Sequence, residues 1–215
     1  FYTDYGMDIQ KRFFGYFLKE EENNWEKEPR VTLQIRYPGD KFIERKENEW
    51  PLARTNWTKL YLTPFGSLAT EEKKFDESKV EYDGFGEGIT FLSEPLDAET
   101  EITGPMASKL FVSSETEDAD LFLVVRVFTE DLKEVTFKGA LDPNTPVGQG
   151  WLRASHRKLD LEMSKPYRPY YTHDEIQPLQ PNKIYELDVE IWPTSIVTPK
   201  TVSYTHLRAH ETSLH

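Results

Sequence analysis

Apolar residues at every second position are the feature that most limits how this chain can fold. The pattern is clearest in the segment YELDVEI, residues 185–191, where four apolar side chains alternate with three carboxylates. Successive side chains of a β-strand point to opposite faces of the sheet, so this alternation predicts a strand with one buried face.

Further segments of the same kind fill the chain from Val31 onward. The segment 121–128 is apolar on both faces except at Arg126, which is typical of a central strand covered from two sides. The predicted strands before the last one are 31–37, 60–62, 89–92, 109–112, 121–128, 135–137 and 151–155. Short strands separated by turn residues, with no helices between them, predict a mainly β fold, namely an antiparallel β-sandwich of the jelly-roll, galactose-binding-like kind.

One helix is predicted before the strands, between Asp4 and Lys19. Ile9, Phe13 and Phe17 recur at every fourth position there, and Phe14 and Leu18 widen the apolar stripe. Residues 20–29 are polar and charged and are interpreted as a linker. Because no later segment predicts a second helix, we expect part of the surface that covers this helix to lie upstream of Phe1, in a longer protein.

Composition excludes several classes of partner. The chain of 215 residues has 26 Lys+Arg against 38 Asp+Glu, a net charge of -12 that repels nucleic acid and anionic lipid. It has no cysteine, hence no disulfide and no thiolate metal site, and it gives no indication of a cellular compartment. No apolar run approaches the roughly 20 residues of a membrane-spanning helix. We therefore expect no nucleic acid and no membrane among its partners.

Ser155, His156 and Asp160 together imitate a catalytic triad. On the predicted strand 151–155, neighbouring side chains point to opposite faces, so Ser155 and His156 are not expected to hydrogen bond as nucleophile and base. Triad members also normally come from well-separated loops. We therefore assign no catalytic residue here.

A series of short motifs occurs in a fixed order along the chain. The motifs are Trp50-Pro51-Leu52, Leu60-Tyr61-Leu62, Phe91-Leu92-Ser93-Glu94-Pro95-Leu96, Ile102-Thr103-Gly104-Pro105, Leu110-Phe111-Val112-Ser113-Ser114, Asp118-Ala119-Asp120-Leu121, Leu152-Arg153-Ala154-Ser155-His156-Arg157 and Pro193-Thr194-Ser195. In this order and spacing the series resembles the C-terminal domain of CocE/NonD hydrolases, the cocaine-esterase-like and X-Pro dipeptidyl-peptidase-like serine hydrolases. The resemblance covers almost everything from Phe1 to Lys200.

The resemblance implies a supporting domain without the chemistry. Family members carry their triad on an α/β-hydrolase domain, with the nucleophile on a G-x-S-x-G elbow. No such elbow occurs in this sequence, because Gly66-Ser67 and Ser155 lack the flanking glycines, and neither His156 nor His173 matches the family's histidine. The helix resembles the last helix of the hydrolase domain. The implied division is 1–30 for that helix and linker, 31–200 for an incomplete sandwich domain, and 201–215 for a tail.

The tail resembles non-native, read-through sequence in place of the family's closing strands. It holds three of the five histidines, and His206 and His210 have the i, i+4 spacing of helical metal ligands. We interpret the tail as foreign sequence without a site. Missing closing strands would leave an unpaired sheet edge.

Three other groups of residues have competing interpretations. Asp118 and Asp120 fit a calcium site, but turn formation is the favoured explanation. The cluster Tyr167, Arg168, Tyr170, Tyr171 and His173 either lines a ligand cleft or, as we favour, packs over the sandwich or a neighbouring domain. The segment 84–88, GFGEG, precedes a strand and not a helix, so it is interpreted as a flexible loop and not as a phosphate site.

The functional hypothesis is the non-catalytic β-sandwich part of a serine hydrolase that acts on ester or amide acyl bonds. It would pack on the α/β-hydrolase domain of the same protein and wall the active-site cleft, and small acyl esters or peptides would be substrates of the parent. No cofactor and no metal are expected, and a homo-oligomer is compatible with the sequence. The alternative is a free-standing carbohydrate-binding or adhesion module, suggested by Trp25, Trp50, Trp57 and Tyr170.

Overall fold

Helix α1 precedes all the strands. The computed structural model describes residues 2–75, 78–139 and 141–200, together with the backbone of 203–205. Helix α1 spans Asp4–Lys19, which confirms the prediction; the Thr3 hydroxyl accepts a hydrogen bond from the Gly6 amide at its start, and Glu20 ends it in a left-handed conformation. Among the residues described, no helix has the length and apolar character needed to cross a membrane.

The strands form two sheets. In chain order they are β1 (Val31–Tyr37), β2 (Lys41–Glu47), β3 (Tyr61–Leu62), β4 (Ser67–Ala69), β5 (Leu92–Pro95), β6 (Thr100–Val112), β7 (Asp120–Phe128), β8 (Gly148–Arg153), β9 (Tyr185–Thr198) and β10 (Ser203–Thr205). The first sheet has the order β2-β1-β9-β6 and the second has the order β3-β4-β5-β10-β7-β8. The pairs β1–β9 and β4–β5 are parallel and the others are antiparallel, so the mainly β sandwich is confirmed with two parallel contacts that the sequence did not indicate.

The core lies between the two sheets. Leu121 and Leu123 of β7 pack against Leu187 and Val189 of β9, and all four are almost fully buried. Each such side chain stabilises the fold by about 1.5–3 kcal/mol relative to its exposed state. A second buried cluster continues the core and consists of Val127, Val135, Phe137, Val147 and Ile196.

At one edge the sheets converge until backbone touches backbone. There β8, the edge strand of the second sheet, approaches β9 of the first. A Cβ atom built on Gly150 would lie 2.0 Å from the Glu190 carbonyl oxygen and 2.9 Å from the Ile191 Cα. Only glycine permits this approach, and we call the contact of β8 with β9 at Gly150 the seam.

Several strands differ from the predictions. The predicted strand 89–92 overlaps β5 only at Leu92, the predicted strand 109–112 is the end of the longer β6, and β4 was not predicted. Strand β2 was not predicted, because its side chains are mostly exposed and charged and show no apolar alternation. The predicted strand 135–137 was wrong: Val135 and Phe137 are buried, but this segment makes only isolated bridges, from Glu134 to Phe128 and from Phe137 to Thr145. The apolar residues alternate in this segment because Val135 and Phe137 are buried, although the segment does not pair with a neighbouring strand over several residues.

The C-terminal segment interpreted as a foreign tail has one described part. The backbone of Ser203–Thr205 forms β10, which pairs with β7 and with β5 in antiparallel orientation. It therefore occupies an interior position of the second sheet. His206 and His210 lie outside the described residues.

Candidate functional site

An open cleft of about 420 Å³ lies beside the seam. It is formed where the outward faces of β8 and β9 meet the loop that leads into β9. Its lining residues are Trp151, Leu152, Arg153, His156, Tyr171, His173, Glu190 and Trp192. We call it the seam cleft.

Two tryptophans from different sheets form its apolar wall. The rings of Trp151 on β8 and Trp192 on β9 are 5.0 Å apart between centroids and tilted by 52°. The two residues are 50% and 59% exposed. Exposed aromatic residues that adjoin polar groups in a concavity are typical of binding surfaces, and the approach of the strands at Gly150 brings this pair together.

Two histidines face each other in the same cleft. The Nδ1 atoms of His156 and His173 are 3.2 Å apart. His156 ends the 3-10 turn Ala154–His156, and His173 lies in a loop with a φ of 51°. No local sequence pattern indicates either the histidine pair or the tryptophan pair, because the partners are far apart along the chain.

Tyr171 forms the floor between the histidines and β9. Its hydroxyl donates a hydrogen bond of 2.5 Å to the Asp188 carbonyl and accepts a weaker one of 3.4 Å from the Glu190 amide. Burial raises the pKa of Tyr171 to about 12. The phenol therefore keeps its proton at physiological pH, and its two backbone hydrogen bonds attach it to β9.

Ser155 is engaged by Asp118. It is 2% exposed, and its hydroxyl donates a hydrogen bond of 2.6 Å to Asp118 Oδ2, while its amide donates one of 2.9 Å to Asp118 Oδ1. The predicted strand ends at Arg153, so Ser155 and His156 lie on a turn and not on a strand, and the geometric reason given from the sequence was wrong. Asp160 Oδ1 accepts hydrogen bonds from the Glu162 and Met163 amides, as in a turn.

The acidic pair at the start of β7, Asp118 and Asp120, is engaged with protein groups. Arg153 donates two hydrogen bonds of 2.7 Å to the carboxylate of Asp120, and this interaction raises the pKa of the Arg153 guanidinium. Asp118 Oδ1 also accepts a hydrogen bond from the Ala119 amide. Within the part of the chain that the structure describes, no group of three His, Asp or Glu residues is assembled for a metal.

The predicted aromatic cluster is divided by the structure. Tyr171 and His173 line the seam cleft, but Tyr167 stacks on Trp57, with centroids 4.3 Å apart and planes within 12° of parallel. Tyr170 is exposed, and Arg168 exchanges backbone hydrogen bonds with Lys165.

The glycine-rich segment 84–88 is separate from the cleft. It begins as a turn in which Asp83 accepts hydrogen bonds from the Phe85 and Gly86 amides. These amides are therefore directed at Asp83, and the segment precedes no helix.

Comparisons with known proteins agree with this architecture. A family model described as the X-Pro dipeptidyl-peptidase C-terminal non-catalytic domain matches residues 23–200. Two curated proteins named as serine esterases, from Mycobacterium bovis and Mycobacterium tuberculosis, are each 35% identical to the chain over 138 residues, which is 60% of this chain and 18% of each relative. The match thus spans less than a fifth of the length of these relatives.

Solved structures show the same similarity. A CocE/NonD family hydrolase from Staphylococcus aureus has a TM-score of 0.86 at 28% identity, covering 100% of this chain and 39% of that one. A thaumarchaeal aminopeptidase from marine sediment and an α-amino acid ester hydrolase have TM-scores of 0.64 and 0.65. These two are 14% and 15% identical, cover 98% and 97% of this chain and 37% of their own, and so show the fold alone.

The predicted resemblance to the C-terminal domain of CocE/NonD hydrolases is confirmed by these matches. The family model covers most of the chain, including every strand from β1 to β9. The chain therefore belongs to the X-Pro dipeptidyl-peptidase C-terminal non-catalytic domain family.

Proposed function

We propose that this chain is the C-terminal, non-catalytic β-sandwich part of a serine hydrolase that cleaves ester or amide acyl bonds. The family description supports the non-catalytic role, and the names of the mycobacterial and staphylococcal relatives support a hydrolase as parent. The hydrogen bond from the buried Ser155 to the partly exposed Asp118 agrees with a structural role for the one serine that directly precedes a histidine in the sequence.

The apolar face of α1 is the observation that carries this proposal. Phe14 and Leu18 on this face are 52% and 74% exposed, and Phe17 is also exposed. Trp25 packs edge-on against Phe13 and leaves most of the stripe open. An apolar patch of this kind is typical of a protein interface. The partner we propose is the α/β-hydrolase domain of the same protein, to which residues 1–30 would belong.

The sandwich would also wall one side of the active-site cleft of the parent. The seam cleft supports this role, because Trp151 and Trp192 provide an apolar surface of the kind that acyl groups contact. In this arrangement the domain restricts which acyl groups enter and leaves bond cleavage to the hydrolase domain.

A carbohydrate-binding module is the weaker candidate. Of the aromatic residues that suggested it, Trp25 packs on Phe13 and one face of Trp57 is covered by Tyr167. A flat sugar-binding platform needs aromatic ring faces that are open to solvent, and these two contacts cover part of the ring faces of Trp25 and Trp57.

A broad glycan array distinguishes the two candidates. If the chain binds no glycan on the array, the result agrees with the hydrolase proposal, whereas specific glycan binding would favour the carbohydrate-binding module.

The decisive experiment compares the chain with its full-length parent. We expect the parent to hydrolyse p-nitrophenyl esters or X-Pro amides and to be inhibited by a serine-reactive phosphonate, and the isolated chain to show no turnover. In the parent, Phe14→Gln should lower the unfolding temperature and the activity. Lys19→Gln, on the far side of α1, is the matched control and should leave both unchanged. Phosphonate-sensitive turnover by the isolated chain would contradict the proposal.

A further inference from the structure

We propose that His156 and His173 form a two-histidine binding site for a divalent transition metal ion of the zinc class. Nothing in the family description or in the sequence pattern assigns this site, and it replaces our expectation that no residue of the chain binds a metal. The two residues belong to different segments, the end of the turn after β8 and the loop before β9, and the structure brings their imidazoles together.

The distance between the two nitrogens suits a single shared ion. Two nitrogens bound at about 2.0–2.1 Å to one tetrahedral ion lie about 3.4 Å apart. The Nδ1 atoms of His156 and His173 are 3.2 Å apart, and the ring centroids are 5.4 Å apart with planes tilted by 45°. The distance between the two nitrogens is therefore within a few tenths of an ångström of the value that one shared ion requires, and rotation of the two rings would direct both lone pairs at the ion. The proton between the two Nδ1 atoms would move to Nε2 of its own ring, which leaves both Nδ1 lone pairs free to bind.

The backbone on both sides of the pair is fixed by hydrogen bonds. The Thr172 amide donates to the Lys158 carbonyl at 3.1 Å, and the Gln177 amide donates to the Ser155 carbonyl at 2.8 Å. These two bonds clamp the loop that carries His173 to the turn that carries His156. The side chain of Lys158 adds ion pairs to Asp174 and Glu175 at 3.1 and 3.0 Å. Both ligands are thus held in place before an ion arrives, which lowers the entropy lost on binding.

Two cations close to the pair are matched by carboxylates: Arg153 is paired with Asp120, and Lys158 is paired with Asp174 and Glu175. The guanidinium of Arg157, the residue after His156, donates hydrogen bonds to the Ala154 and Gln177 carbonyls. Glu190 also lines the cleft. Since the described residues assemble no third ligand around the pair, water or a donor atom of a bound molecule would complete the coordination.

Imidazole pairs select among metals in a known way. Nitrogen ligands favour Cu²⁺, Ni²⁺ and Zn²⁺, whereas Mg²⁺ and Ca²⁺ prefer oxygen ligands. The proposal therefore predicts binding of the first group and no detectable binding of the second at this site.

Calorimetric titration of the 215-residue chain with each metal salt tests the proposal. In every sample His206→Gln, His210→Gln and His215→Gln remove the other histidines as competing ligands. We expect each chain to bind one Zn²⁺ ion in the zinc titration and one Ni²⁺ ion in the separate nickel titration. The affinity for either ion should fall about tenfold or more in His156→Gln and in His173→Gln. Tyr170→Phe, an exposed residue of the same loop, is the matched control and should bind as before. Absence of binding in this background, or binding unchanged in both histidine variants, would overturn the proposal.

A second measurement keeps both His156 and His173, so its result does not depend on whether the histidine variants fold. Diethyl pyrocarbonate modifies accessible imidazoles, and mass spectrometry of peptides locates the modification. With His156 and His173 intact, Zn²⁺ should protect both residues together, whereas Mg²⁺ should protect neither. Modification of both histidines at equal rates with and without saturating Zn²⁺ would also overturn the proposal.

Discussion

The hydroxyl of Ser155 donates a hydrogen bond of 2.6 Å to Asp118 Oδ2, across the junction between the loop before β7 and the turn after β8. Asp118 Oδ1 accepts the amide of the same serine, so the carboxylate binds this residue twice. The serine that looks most like a nucleophile in the sequence therefore joins two segments of the sandwich.

Ser155→Ala should destabilise the fold without affecting chemistry. It removes the hydroxyl and leaves a partly buried carboxylate oxygen with one fewer donor, which costs about 1–3 kcal/mol. Urea unfolding of the chain measures the loss. Ser113→Ala, at an exposed position, is the control and should change the unfolding free energy little. In the full-length parent, Ser155→Ala should retain the kcat of the unmodified protein; its selective loss in a folded variant would indicate a catalytic role.

Gly150→Ala should disrupt the seam. The added methyl group would overlap the Glu190 carbonyl, which lies 2.0 Å from the Cβ position, so β8 and β9 must separate. We expect a loss of about 3 kcal/mol or more, or failure to fold. Gly39→Ala has open space but a φ of 84°, and should lose only about 1 kcal/mol through backbone strain. Equal losses in the two variants would contradict the close approach at the seam.

Arg36→Met should weaken the attachment of β1 to the sandwich. The half-buried guanidinium donates hydrogen bonds to the Ser195 and Val147 carbonyls at 3.3 Å and to the Thr194 hydroxyl, and it lies 4.2 Å from the centre of the Phe137 ring. Burial lowers the pKa of Arg36, yet an arginine keeps its charge. Methionine fills similar volume without donors, so unfolding free energy should fall by about 2 kcal/mol. The exposed Arg30→Met is the control and should show no such fall.

Stability should decline at high pH through Tyr171. Burial raises its pKa from 10.0 to about 12, so the folded state holds the phenolic proton more tightly than the unfolded state. The resulting contribution to stability is fully present below pH 10 and is lost as pH rises toward 12. Tyr171→Phe should remove this part of the pH dependence in unfolding experiments. Ultraviolet titration at 295 nm should show a late-ionising component in the original protein that Tyr171→Phe lacks.

Local pattern was enough to predict some elements and not others. The alternation in residues 185–191 predicted β9, because this period records which face of the strand is buried. The aromatic stripe predicted α1 through its helical spacing, although the stripe itself is exposed. Strand β2 was missed because most of its side chains are exposed, so its sequence shows no alternation of apolar and polar residues. The contacts that build the seam cleft depend on how distant segments meet, and no local pattern encodes the pairing of His156 with His173 or of Trp151 with Trp192.

The direct contact of main chains at Gly150 has a consequence for anything that enters the neighbouring cleft. Since β8 and β9 touch without intervening side chains, neither strand can slide or hinge away without breaking the core behind it. We therefore expect the backbone of the walls bearing Trp151 and Trp192 to move little when a ligand binds. A ligand that binds in the seam cleft should meet a preformed site, and side-chain rotation should be the main change on binding.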